Sequence, residues 1–148
     1  MQAGLYEIKS EFLIKVASSG RYSVLGLDLG GRKVGIAKGD MQLKIAVPLV
    51  VIEYKNQSDL AKKLADIIKE NQVGGLVIGL PGEEYKAKFT EYVKGLGLDL
   101  PFIFEDESYT TKIANKMLAD IGVNRRRRNK IDDKISAQII LSAFFNGS

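Results

Sequence analysis

The sequence predicts one α/β domain on a mixed five-stranded sheet, three antiparallel strands followed by two parallel ones, flanked by helices. Three observations carry this. Three β-prone runs, at residues 24–29, 34–37 and 43–53, follow one another across short turns, which makes them antiparallel neighbours. Two further short apolar runs, 76–80 and 102–104, are separated by a helical repeat, the spacing of a β-α-β unit with parallel strands. Finally, 148 residues with 45% hydrophobic content suffice for a core without covalent staples.

In chain order, residues 5–16 are amphipathic enough to pack and end at the flexible Ser18-Ser19-Gly20. They lack the apolar centre and cleavage pattern of a signal peptide. Residues 1–22 read as an N-terminal extension, docked on the domain or contacting another chain, and 23–148 as the domain itself. Val24 to Leu29 is nearly all apolar, as a central strand buried on both faces should be, and Gly30-Gly31 turns it into a second strand at Val34-Gly35-Ile36-Ala37. Pro48 in the third run marks an edge strand or a bulge. Ser58 is a good N-cap for a helix to about Asn71, with Leu60, Leu64, Ile67 and Ile68 at helical spacing and Gly74-Gly75 beyond its end. Pro81-Gly82 closes the fourth strand. Helices are expected over 83–95 and 110–119, a basic loop over 122–130, and a final helix over 131–145.

Composition removes several chemistries. Cys 0 excludes disulfides and thiol catalysis, and His 0 excludes an imidazole base or metal ligand. No long uncharged apolar run offers a membrane span, so a cytoplasmic protein is the expectation. The net charge of +4 is modest, but Arg125, Arg126, Arg127, Arg128 and Lys130 gather much of it in one loop.

Hydrolysis would therefore have to use carboxylates, lysine, tyrosine, hydroxyls or a metal ion that acidifies its own water. Asp28 is the outstanding acid, a charge at the tip of an apolar strand, where it is costly unless paired or bound to a cation. The bland alternative is a cap on the glycine turn. Glu105-Asp106-Glu107 supplies a second acidic group after the fifth strand, with helix capping as its alternative and no residue of the three preferred by spacing. Asp132 and Asp133 fall in the first turn of the last helix. Asp133 continues the stripe Ala137, Ile140 and Phe144 and so points toward the sheet, which makes it the better candidate of the two. Such acids suit one or two Mg²⁺ or Mn²⁺ ions, which take oxygen ligands.

Four segments in order, Leu27-Asp28-Leu29-Gly30-Gly31-Arg32-Lys33-Val34-Gly35-Ile36-Ala37, Val77-Ile78-Gly79-Leu80-Pro81, Asp106-Glu107-Ser108-Tyr109-Thr110-Thr111 and Asp133-Lys134-Ile135-Ser136-Ala137-Gln138-Ile139-Ile140-Leu141, resemble the YqgF/RuvX family. The resemblance covers residues 24–145. It implies a ribonuclease H-like fold and a metal-dependent nuclease, described either as a Holliday junction resolvase or as acting in maturation of the 5′ end of 16S rRNA. It also implies Asp28, Glu107 and Asp133 as the metal-binding catalytic acids, and so selects Glu107 from the triplet. Ser108 stands where the family usually has arginine, the loop after Pro81 is shorter than usual, and the extension lies outside the family core.

Beside such a site Arg32, Lys33, Arg125, Arg126, Arg127, Arg128 and Lys130 are candidate phosphate contacts, with Lys86 and Lys88 weaker ones; a solvated basic loop is the alternative for the arginine run. The expected partner is nucleic acid, a structured rRNA precursor ahead of branched DNA, with ribosomal particles as a further partner and a monomer ahead of a dimer. A phosphate-binding ATPase of the actin and sugar-kinase kind needs two lobes, and this chain has room for one. A non-catalytic nucleic-acid-binding module is the other alternative.

Overall fold

The computed structural model describes residues 4–106 and 133–147. Among these described residues there are six strands rather than five, β1 (Gly4–Tyr6), β2 (Ser23–Leu29), β3 (Lys33–Asp40), β4 (Ile45–Glu53), β5 (Val73–Leu80) and β6 (Pro101–Asp106), in the order β1-β6-β5-β2-β3-β4. The strands from β1 to β2 pair in parallel, while β3 and β4 complete the sheet antiparallel. The additional strand comes from the N-terminal segment, whose Gly4 to Tyr6 pairs with Pro101 to Ile103. This also covers what would otherwise be an open edge of β6.

Among the described residues four helices cover the sheet: α1 (Lys9–Ser18), α2 (Gln57–Glu70), α3 (Lys86–Gly95, preceded by a 3₁₀ turn at Glu83–Tyr85) and α4 (Asp133–Asn146). One face packs Leu25, Leu27, Ile36, Leu76, Ile78 and Phe102 against Leu60, Leu64 and Val93 of α2 and α3. The other packs Val24, Ala37, Val77 and Ile103 against Phe12 and Val16 of α1 and Ala137, Ile140, Leu141 and Phe144 of α4. Residues 5–16 are thus docked on the sheet.

Several boundaries move for identifiable reasons. The N-cap of α2 is Asn56, not Ser58: its side chain accepts from the Asp59 amide at 2.8 Å, while the Asp59 carboxylate accepts from the Lys55 amide at 2.9 Å. That reciprocal pair satisfies two backbone donors at once. Gly74 and Gly75 belong to β5 rather than to a helix end. A β-carbon on Gly75 would stand 2.7 Å from Val16 Cγ2 and 2.8 Å from Phe12 Cζ, so the glycine admits α1 to the sheet. Pro48 lies on edge strand β4, where the β3–β4 register shifts between Ile36 and Ala37, as its presence predicts. The helix and basic loop expected over 110–130 lie outside the described residues.

Candidate active site

Asp28 occupies the penultimate position of β2 and pairs across the antiparallel ladder with Gly35. Gly26, two residues earlier, pairs with Ala37, so Gly26, Asp28, Gly35, Ala37 and Gly39 share the face that carries α4. Three of these five are glycines, and α4 lies in the channel they leave. A β-carbon on Gly26 would meet Leu141 Cγ at 2.5 Å, one on Gly39 the Phe145 ring at 2.7 Å, and one on Gly35 the Asp133 carbonyl oxygen at 2.0 Å. The first turn of α4 is therefore seated on β3 directly beside Asp28.

The result is a cleft of about 340 Å³ lined by Asp28, Gly30, Gly31, Arg32, Lys33 and Asp133. Burial, and after it the Asp133 carboxylate, push the Asp28 carboxyl above the usual aspartate range. Asp28 held this way loses hydration and feels the charge of Asp133, a cost that a bound cation offsets. Their oxygen donors suit a hard divalent ion, and α4 presents its N-terminus to the same cleft. Among the described residues no group of three acids stands together as a complete metal cluster.

Arg32 and Lys33 rim the cleft. Lys33 reaches Glu53 only at 4.0 Å, with both side chains well exposed, so this pair restrains it little. Asp28, Asp133, Arg32 and Lys33 are thus brought together. Glu107, Arg125, Arg126, Arg127, Arg128 and Lys130 lie outside the described residues.

Glu105 is a further acid that the sequence did not single out. β6 extends to Asp106, and Glu105 pairs with Gly79 on β5. Because Val77 pairs with both Gly26 and Ile103, Glu105 lies on the face of Asp28, with Gly79 between them. Burial raises its carboxyl pKa; Lys9 opposes this and Asp106 adds to it. The alternation Phe102-Ile103-Phe104-Glu105 was the available signal. Lys86, a weaker candidate, is engaged by Glu7 at 2.6 Å and Glu83 at 3.6 Å. Among the described residues no helix is long and apolar enough to cross a membrane.

Residues 22–147 match the family model of RuvX, described as "Holliday junction resolvase". The chain is 36% identical over 132 residues to the "Putative pre-16S rRNA nuclease" of Rickettsia typhi, covering 83% of this chain and 84% of the relative. It is 33% identical over 147 residues to the protein of the same name from Roseobacter denitrificans, with 93% and 89% covered. Among solved structures, T. thermophilus RuvC in complex with Holliday junction substrate aligns with a TM-score of 0.54 at 12% identity, over 84% of this chain and 94% of that one. The large terminase nuclease of thermophilic phage G20c aligns with a TM-score of 0.52 at 10% identity, over 84% and 82%. The fold is that of the ribonuclease H-like nucleases, and the chain belongs to the RuvX family of nucleases.

Proposed function

We propose that this protein is a metal-dependent endonuclease that cuts single-stranded RNA at the 5′ end of a 16S rRNA precursor in the cytoplasm. The observation that carries the reading is the pairing of Asp28 with Asp133 in one cleft whose rim is Arg32 and Lys33. Acids at the floor and cations at the rim suit a phosphodiester, whose scissile phosphate needs positioning while its flanking phosphates need neutralising. The names of the relatives support the RNA substrate.

In this reading Asp28, Glu107 and Asp133 hold Mg²⁺ or Mn²⁺, and Glu107 enters through the family resemblance. When bound, the metal lowers the pKa of water and offsets the charge that builds on the phosphate oxygens. The rest falls to the chain. Asp28 is held in place by the β2–β3 ladder and Asp133 by the seat that Gly35 gives α4. In the same reading Arg32, Lys33, Arg125, Arg126, Arg127, Arg128 and Lys130 are the residues that contact the phosphates of the strand.

Cleavage of a structured rRNA precursor and of four-way DNA junctions, each with Mg²⁺, Mn²⁺ or EDTA, tests the proposal. Metal-dependent cutting of the RNA, abolished in Asp28→Asn and Asp133→Asn while the fold is retained, is the expected result. Equal activity of Asp28→Asn and the parent chain refutes the metal site. The family description favours a second reading, resolution of DNA junctions. That reaction calls for two symmetric cuts and hence paired active sites. A stable dimer making such cuts with no activity on RNA would establish it in place of the first.

A further inference from the structure

Across the Gly30-Gly31 turn from Asp28 lies a second cavity, of about 480 Å³, which shares both glycines with the acid cleft. This size falls in the ~300–1,000 Å³ range of small-ligand pockets. Its walls are Tyr54, Phe89 and Tyr92, the first just after β4 and the other two on α3, and its rim carries Lys55 and Lys88. No acidic side chain lines it.

The pocket is built rather than left over. The Tyr54 hydroxyl donates to the Gly30 carbonyl at 2.5 Å and its amide to the Arg32 carbonyl at 3.0 Å, which ties the aromatic wall to the turn that borders the acid cleft. Gln57 Nε2 donates to the Tyr92 carbonyl at 2.9 Å, the Tyr92 side chain hydrogen-bonds with that of Tyr54, and Phe89 is buttressed edge-on by Phe104. A β-carbon on Gly31 would meet nothing within 4 Å, so the ridge between the two cavities leaves room for a chain to cross.

We propose that this cavity receives one nucleobase of the substrate strand, adjacent to the phosphate held in the acid cleft. The inference rests on the nuclease reading and adds to it a positioning site. Aromatic walls offer a stacking platform, and the two ammonium groups suit the phosphates on either side of the stacked base. Gln57 Nε2 is engaged by the Tyr92 carbonyl and Asn56 Oδ1 by the cap of α2, and the aromatic faces of Tyr54, Phe89 and Tyr92 are the main surface offered to a base. Stacking is thus the contact this proposal rests on, and stacking tolerates any of the four bases.

The test measures binding without turnover, using the full-length Asp28→Asn protein in EDTA and a labelled single-stranded RNA of about eight nucleotides, within the span such grooves hold. An abasic residue is placed at each position in turn. One position is expected to cost roughly tenfold in affinity, the scale of one stacked base. Tyr92→Leu should cost the intact strand about as much and the strand abasic at that position nothing further. Lys88→Glu, on the exposed rim, should weaken binding and flatten its salt dependence with the melting temperature unchanged. Equal losses at every abasic position, losses additive with Tyr92→Leu, or a free mononucleotide bound as tightly as the strand would each overturn the proposal. Failure of the parent protein to cleave with Mg²⁺ would instead refute the nuclease reading and leave the position-specific binding signature standing.

Discussion

Gly35 lies so close beneath Asp133 that a β-carbon there would stand 2.0 Å from the Asp133 carbonyl oxygen. Since Gly35 is also the ladder partner of Asp28, the seat of one acid is set by the neighbour of the other.

Gly35→Ala is therefore expected to displace the first turn of α4, because the obstacle is backbone and cannot rotate away. Overpacking of this kind costs about 1–3 kcal/mol, and a shift of about 1 Å at a catalytic group costs roughly a hundredfold in rate. Gly39→Ala meets the edge of the Phe145 ring, a side chain that can move, and should lose stability with little loss of activity. Thermal melts and metal-dependent cleavage of both variants separate the two effects.

A second expectation concerns pH. Burial and Asp133 raise the Asp28 pKa, and burial raises that of Glu105. For an acid whose folded pKa exceeds its unfolded value, the native state binds more protons through the interval between them. The stability these two acids contribute to the metal-free fold is therefore fully present below the ordinary carboxylate range and is lost as pH rises through their folded values, whereas Glu7 and Asp59, whose pKa values are lowered, act in the opposite sense. Asp28→Asn removes its share of this penalty, so at neutral pH in EDTA it should melt above the parent and show a shallower decline with pH. A lower melting temperature than the parent would mean that Asp28 stabilises the empty fold.

The N-terminal segment should matter to the far end of α4. The Lys9 ammonium donates to the Phe144 carbonyl and, at 2.9 Å, to the Gly147 carbonyl, and it lies 4.7 Å from the centroid of the Phe144 ring. A cation over the C-terminal carbonyls of a helix is favoured by the helix dipole. Lys9→Met keeps the apolar stem and should cost about 1.5–3 kcal/mol, the scale of hydrogen bonds to a charged group. Hydrogen exchange would show faster opening of the last turn of α4, and Lys9→Arg should restore part of the protection.

The contrast between legible and hidden features has a physical origin. β-prone apolar runs and turn residues identified β2, β3 and β4, and the stripe through Ala137 and Phe144 pointed Asp133 toward the sheet, because each signal is local. The strand at Gly4–Tyr6 carries no such signal, since three residues are too few for a period and its pairing depends on β6. Gly74-Gly75 misled for a related reason: a glycine under α1 and a glycine after a helix look alike until Phe12 and Val16 are in place. Glu105 was hidden by uncertainty in the end of β6, and the aromatic cavity because Tyr54 and Tyr92 are 38 positions apart in the sequence.

The last prediction concerns the cations. Arg32 and Lys33 line the acid cleft, and the long, exposed contact of Lys33 with Glu53 leaves its ammonium available to a phosphate. Each phosphate neutralised on a single strand contributes about 0.7 to the slope of log K against log salt. Arg32→Ala should thus lower that slope by roughly 0.7 and weaken binding to all RNA sequences alike, since a phosphate carries no sequence information. Replacing Arg125, Arg126, Arg127 and Arg128 together should lower it by about 0.7 for each that meets a phosphate, with the melting temperature unchanged. Binding measured across a salt series decides between a clamp and a solvated loop: an unaltered slope in the fourfold variant assigns the arginine run to the loop, and an unaltered slope in Arg32→Ala removes the rim from the nucleic-acid interface.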